Sequence, residues 1–229
     1  GIPGQMMNIG SAHPQGPLGA ANQVIAGLTP GLTQGYNFSE ALGNIIGGNI
    51  ATAEAAKYLV EAGADAVKVG IGQGSPCTTK YKTGFTMPMF SCVKLCSNLQ
   101  GGCWEDESHG PIPIIADGGV KHNGDIAKAL VAGATMVMAG GIFASCSDSP
   151  AACSTIGNVT HKAYFGSASA ENKYHHHNIE GKLINVPCNN MTVGQKLLEI
   201  TEDLQSSISY AGGKNLEAFK DNNVTYDRN

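Results

Sequence analysis

Apolar and polar positions follow one plan twice along this chain. IIGGNIATAEAAKYLVEAGADAVKVGIG (45–72) and IIADGGVKHNGDIAKALVAGATMVMAGGI (114–142) each read as a short apolar strand, a glycine turn and a helix ending at Ala-Gly. A second apolar strand that runs into glycines then follows in each. The pattern predicts strands at 45–48, 66–70, 112–116 and 135–139, all continuous apolar runs of the kind covered on both faces of a parallel sheet. Thr52 caps the first helix, which closes at Gly63, and Asn123 caps the second, which closes at Gly133. A repeated β-α-β unit with glycines past the strand ends gives an α/β class and favours a (β/α)8 TIM barrel; an open doubly wound sheet is the alternative. Four such strands are readable where a closed barrel has eight, so about four βα units, half a barrel, are expected here.

Further along, MTVGQKLLEITEDLQSSISYAGG reads as a helix with Thr192 and Gln195 as its capping box. Val193, Leu197, Ile200, Leu204 and Ile208 form one packing stripe, and Gly212 and Gly213 stop the helix. Cys92 and Cys96 share a helix face. Residues 1–44 hold no steady period and are rich in Gly, Gln, Asn and Pro, so they read as an irregular extension ahead of a domain at 45–229.

Composition narrows the classes. With 14% charged residues and a net charge of −4, the chain carries no basic field for nucleic acid or anionic lipid. No apolar run approaches the ~18–20 residues that cross a bilayer, and GIPGQMMNIG does not read as a signal peptide. Seven cysteines, an odd number, read as reduced thiols in a cytoplasmic setting rather than as a disulfide frame. Cys92, Cys96 and Cys103 lack a paired zinc-ligand spacing. The histidine run His175–His177 reads as a solvated flap, and His122 and His161 carry no assigned role.

Chemistry gathers just past the strand ends: Gly48 and Asn49; Gly72, Gly74, Ser75, Cys77, Thr78 and Thr79; Asp117, Gly118 and Gly119; Gly140 and Gly141. Glycines there let main-chain N–H groups approach a phosphate, and Ser75 adds a hydroxyl. Asp117 suits a sugar diol, since a carboxylate accepts from neighbouring hydroxyls. Phosphate plus ribose points to a nucleotide. Within VGIGQGSPCTTKYKTG (69–84), Cys77 sits on a glycine-rich loop, where a thiol acts as a nucleophile; Cys92 and Cys146 read better as small buried residues.

GADAVKVGIGQGSPCTTKYKTG, IPIIADGGVKHNGDIAKALVAGATMVMAGGIFA and KAYFGSAS resemble the IMP dehydrogenase/GMP reductase family over residues 45–220. GSASAENKYHHHNIEGK and EDLQSSISYAGGKNLEAF are similar to its bacterial-type GMP reductase branch. The resemblance implies that Cys77 attacks C2 of the purine to form a thioimidate. It implies that Ser75, Gly119, Gly140, Gly141 and Tyr164, with Gly118 and Gly166 in the same loops, hold the 5′-phosphate end. Asp117 would hold the ribose, and Ser167, Ser169 and Glu180 would lie at the base. Asn49 and Thr79 would face the nicotinamide cofactor, NADPH in the reductases, and carbonyls of Gly72, Gly74 and Cys77 would hold a monovalent cation, potassium. GMP and IMP are the implied ligands, a homotetramer the implied assembly, and a further polypeptide the candidate for the missing half-barrel.

Two members of the family's pattern are altered. The dehydrogenases use an Arg–Tyr pair on a flap, yet the sole arginine here is Arg228, and Lys173–Tyr174 makes a different donor. That favours NADPH-dependent conversion of GMP to IMP and ammonia over conversion of IMP to XMP with NAD. The resemblance also implies a glutamate directly after GSAS that relays a proton with Thr79. Ala170 stands there, and Glu171 beside it is expected to substitute. An inactive nucleotide-binding half-barrel is the reading from another class.

Overall fold

The structure is a computed structural model that describes residues 6–7, 24–27, 44–98, 112–173 and 177–220. Its main sheet has six strands in simple sequence order: β1 (Met6–Met7), β2 (Val24–Gly27), β3 (Asn44–Ile50), β4 (Ala66–Val69), β5 (Ile114–Asp117) and β6 (Met136–Met138). The run β3 to β6 is parallel, with Ile46 opposite Ala66, Val67 opposite Ile114 and Ile115 opposite Met136. Within the stretch expected to be irregular, the apolar piece around Val24–Gly27 instead forms β2, which pairs antiparallel with β3, as β1 does with β2. The rest of the expected extension lies outside the described residues, as do Cys103, Tyr174, His175, His176 and Arg228.

The repeat folds as its pattern dictates, with corrections at the ends. Helix α1 (Ala53–Glu61) is capped by Thr52, whose hydroxyl accepts from the N–H of Ala55. The short helix α2 (Thr79–Lys82) and then α3 (Met89–Asn98) follow β4, and α4 (Asn123–Ala132) follows β5. The cap of α4 is His122, not Asn123: the Asp125 carboxylate accepts from the N–H groups of Lys121 and His122, while the Asn123 amide is drawn off to Asp203. Gly133 closes α4 in the left-handed region, as expected. Strand β3 runs two residues past its predicted end, through a bulge between Gly48 and Ile50, so Asn49 belongs to the strand. Likewise Asp117 is the last residue of β5 rather than the first of its loop.

All the long helices of the repeat stack on one side of the sheet. In register, Val69 aligns with Ala116, and Ala116 with Val137. These residues pack with Val67 and Ile114 against Ala56 and Val60 of α1, Cys92, Val93 and Cys96 of α3, and Ala129 and Ala132 of α4. Neighbouring helices touch in chain order, α1 with α3, α3 with α4, and α4 with α6 (Val193–Tyr210). Among the described residues the expectation of a sheet covered on both faces therefore holds only in part, since on the other face Ile115 is buried whereas the β6 edge is not. The opposite face carries Lys68, Ile115, Met136 and Met138, and the two methionines at the β6 edge are 53% and 49% exposed.

Past the short helix α5 (Gly141–Ala144), a second sheet forms that the sequence reading missed: β7 (Cys153–Ile156), β8 (Val159–Tyr164) and β9 (Ile184–Pro187), an antiparallel meander. Its signal was the Gly157–Asn158 turn between runs holding Thr, Ile and Val, a two-residue hairpin connection. Helix α6 has the predicted Thr192–Gln195 capping box, and its stripe is anchored on buried Ile200 and half-buried Leu204, with Leu197 more exposed than expected. No helix among the described residues is long and apolar enough to cross a membrane.

Candidate active site around Cys77

The loop after β4 turns back sharply at Gly74–Cys77, where the N–H of Cys77 donates to the carbonyl of Gly74 at 3.0 Å. Two main-chain bonds then clip this loop to a distant strap: Thr78 N–H donates to the Glu180 carbonyl at 2.8 Å, and Lys182 N–H to the Pro76 carbonyl at 2.9 Å. Cys77 and Gly181 face each other as an antiparallel bridge. Ladder bonds of this kind fix register, so the side chain of Glu180 is delivered to Thr79, the first residue of α2.

The result is a continuous chain of hydrogen bonds. The Cys77 thiol donates to Thr79 Oγ1 at 3.2 Å, and that hydroxyl donates to Glu180 Oε2 at 2.6 Å. All three residues are half-buried, so the sulfur is reachable yet shielded. A hydroxyl that is both acceptor and donor between a thiol and a carboxylate can pass a proton either way. Buried Cys92 and Cys146 offer no such path: hydrogen bonding to Cys96 and then burial raise the Cys92 thiol far above its ordinary range.

Glu180 thus occupies the place expected for Glu171. The latter sits exposed on a 3-10 turn (Ala170–Asn172), turned out by the geometry that buries its neighbour Ser169. Ser169, expected against a purine base, is fully buried, and its hydroxyl accepts from the N–H of Gly166. The carbonyl of Gly166 in turn receives the Asn172 amide and the Ser169 N–H. Both residues therefore shape the strap from within. Ser167 is exposed on the same turn. Lys173 donates to the Asn178 carbonyl and Lys82 to the Ile179 carbonyl at 2.5 Å, closing the strap onto α2.

The other expected residues gather at the same end of the sheet. Asp117 takes Lys68 Nζ at 2.6 Å and Asn49 Nδ2 at 2.9 Å, both on Oδ2. Asn49 also donates to the Gly70 carbonyl at 2.9 Å. Lys68 was missed in the sequence, though a lone charge in the apolar run AVKV was the available signal. Gly118 packs on the main chain of Gly74, which brings the Asp117–Gly119 and Gly74–Ser75 loops together. Tyr164, at the end of β8, lays its ring over Gly140, where an added Cβ would come 2.1 Å from the phenol oxygen and displace the ring. Gly141 lies beside the same ring. Burial, and after it the negative charge of Asp117, raise the Tyr164 phenol above its ordinary value, so it stays a neutral donor. A cavity of about 580 Å³ opens on the outer side of these loops, touching Ser75 and Gly119 together with Lys80, Lys121 and Lys128, and does not reach Cys77. No group of three His, Cys, Asp or Glu among the described residues is disposed to hold a metal.

Comparison with known proteins gives the same direction. The family model of the IMP dehydrogenase / GMP reductase domain matches residues 36–228. A GMP reductase of Chromobacterium violaceum is 50% identical over 177 residues, covering 77% of this chain and 52% of its own length. One from Oenococcus oeni is 46% identical over 187 residues, covering 81% of this chain and 54% of its own length. One from Lactobacillus johnsonii is 47% identical over 175 residues, covering 76% and 50% respectively. The chain spans about half the length of the curated relatives it matches.

Proposed function

The chain belongs to the IMP dehydrogenase/GMP reductase family, and from that premise we propose that it carries the covalent half of a GMP reductase: reductive deamination of GMP to IMP and ammonia. The observation that supports the reading is the Cys77–Thr79–Glu180 chain. The thiol proton passes through Thr79 Oγ1 to Glu180, and the sulfur bonds to C2 of the purine. The same proton returns through Thr79 to the C2 amino group, whose bond to C2 then breaks with its electron pair to release ammonia. NADPH, when bound, supplies the hydride that reduces the purine at C2. The C–S bond then breaks, its electrons return to sulfur, and IMP leaves. General acid–base assistance of this type is worth about 10²–10⁴-fold.

Ser75, Gly118, Gly119, Gly140, Gly141 and Tyr164 are the residues proposed at the phosphate end, Asp117 at the ribose, and Ser167 and Glu180 beside the base. On the cofactor side, Asn49 spends both amide hydrogens on Gly70 and Asp117, which leaves its carbonyl oxygen for a carboxamide N–H. Thr79 borders the same space. Carbonyl oxygens of Gly72, Gly74 and Cys77 are neutral, hard donors suited to a potassium ion; they would stiffen the nucleophile's loop.

The four parallel strands, with helices stacked on one side and a bare β6 edge, support half of a (β/α)8 barrel closed by a further segment. A homo-oligomer is the assembly proposed, and native mass measurement checks it. Dehydrogenase chemistry is the second reading; the flap lacks arginine, since Arg228 is the chain's sole arginine. The deciding experiment mixes the chain with GMP and NADPH, follows loss of the reduced nicotinamide absorbance, and looks by mass spectrometry for a nucleotide adduct. An adduct on wild type and none on Cys77→Ser is expected. Nucleotide binding with no adduct would leave only a binding fragment.

A further inference from the structure

The cavity between α3 and α4 takes no part in the chemistry proposed for Cys77. Its volume, about 580 Å³, falls within the roughly 300–1,000 Å³ of small-molecule sites, and its lining includes neither Cys77 nor Gly140, Gly141 or Tyr164. Two kinds of residue line it. Pro88, Phe90 and Val120 are apolar, and Phe90 also packs on the core of the sheet, which holds it in place. Lys80, Lys121 and Lys128 are cationic, in a chain where 18 acidic residues outnumber 14 lysines and arginines. Asp125, the one carboxylate among the lining residues, is already engaged. Its Oδ2 accepts from the N–H groups of Lys121 and His122, and its Oδ1 lies 3.7 Å from Lys128 Nζ. Lys80 Nζ lies 5.0 Å from the Tyr81 ring centre, and neither it nor Lys121 pairs with a carboxylate among the described residues.

Apolar lining together with ammonium groups short of counter-charge suits an anion that carries an apolar body. A phosphate monoester fits better than a carboxylate: it brings nearly two negative charges and three acceptor oxygens, one for each ammonium. We propose that this cavity is a second binding site, distinct from the one at Cys77, for a phosphate ester with a flat apolar body. Lys80, Lys121 and Lys128 hold the phosphate, and the body lies against Phe90, Pro88 and Val120. Ser75 and Gly119, proposed for the phosphate end of GMP, also line this cavity, so the two sites share a wall. Binding at one then changes affinity at the other by the same factor in both directions, without either ligand excluding the other.

The test titrates the full chain by calorimetry with 1-naphthyl phosphate, inorganic phosphate and 1-naphthol, each with and without GMP. The ester is expected to bind at least about tenfold more tightly than either of its parts, since each part forgoes one kind of contact. Lys128→Gln should weaken the ester about tenfold, and Lys121→Gln, on a more exposed side chain, about threefold. Neither should change the binding of 1-naphthol. Lys57→Gln is the control for net charge: its lysine pairs with Glu61 on α1, outside the cavity, and affinity should stay as in wild type. Added GMP should raise the ester's Kd to a plateau. Inorganic phosphate binding as tightly as the ester overturns the proposal, as do no binding of the ester at millimolar concentration and equal losses in Lys57→Gln. A Kd that climbs with GMP and never levels does so too, because the ester would then occupy the GMP site. Should Lys128→Gln lose its helical signal, Lys121→Gln and Lys128→Arg still decide, the latter expected to keep most of the affinity. Ester binding in a chain that forms no Cys77 adduct with GMP would sink the reductase reading and leave this one standing.

Discussion

The two faces of the parallel sheet are built from the same four strands and do opposite things. Toward the helices point Val67, Val69, Ile114, Ala116 and Val137, sealed by alanines and by the thiols of Cys92 and Cys96. Toward the other side point Lys68, Ile115 and the half-exposed Met136 and Met138. Because successive strand residues alternate in direction, one residue of register separates a position packed under the helices from one that faces away from them. The contrast extends to cysteine. Cys92 lies wholly buried on the helix side, while Cys77 sits half-buried at the strand ends with a hydroxyl and a carboxylate in line.

The comparison breaks most visibly at sulfur. Cys77→Ser should abolish the nucleotide adduct seen by intact-mass measurement while leaving the melting temperature unchanged; Cys92→Ser should do the reverse. Glu180→Gln keeps the shape and a hydrogen bond to Thr79 but cannot hold the proton, so turnover of GMP should fall about 10²–10⁴-fold in stopped-time assays. Ile114→Ala, on the sealed face, is expected to cost about 2–5 kcal/mol in denaturant unfolding without altering which nucleotides bind. Met136→Ala, on the open face, already meets solvent and should cost under about 1 kcal/mol by the same measurement. Glu171→Gln sharpens the contrast at the small end. Exposed on its turn, it should leave both stability and GMP turnover within about twofold of wild type.

Local features of the fold were legible in the sequence. The Thr52 cap, the Gly133 stop and the Thr192–Gln195 box each depend on residues within a turn of one another. The repeat announced the parallel strands for the same reason. Reading failed where chain-distant pieces meet. Asn123 looked like a cap until Asp203, 80 residues away, claimed its amide. Glu171 looked like the partner of Thr79 because it stood beside the expected position, whereas Glu180 arrives through a ladder across 101 residues. Lys68 escaped notice because its partner lies on the next strand, 49 positions on. The resemblance placed Ser169 against a purine base, whereas in the structure its hydroxyl is buried within the strap and accepts from the N–H of Gly166.

The two main-chain bonds that join Pro76 and Thr78 to residues 180–182 have a mechanical consequence. They behave as a latch: lifting the strap pulls the acid away from the hydroxyl and slackens the nucleophile's backbone in one motion. An opened molecule would therefore be idle rather than half-armed, with no stray alkylation by a thiol that had lost its proton acceptor. Under the proposed reading, an armed sulfur therefore belongs to the closed strap alone.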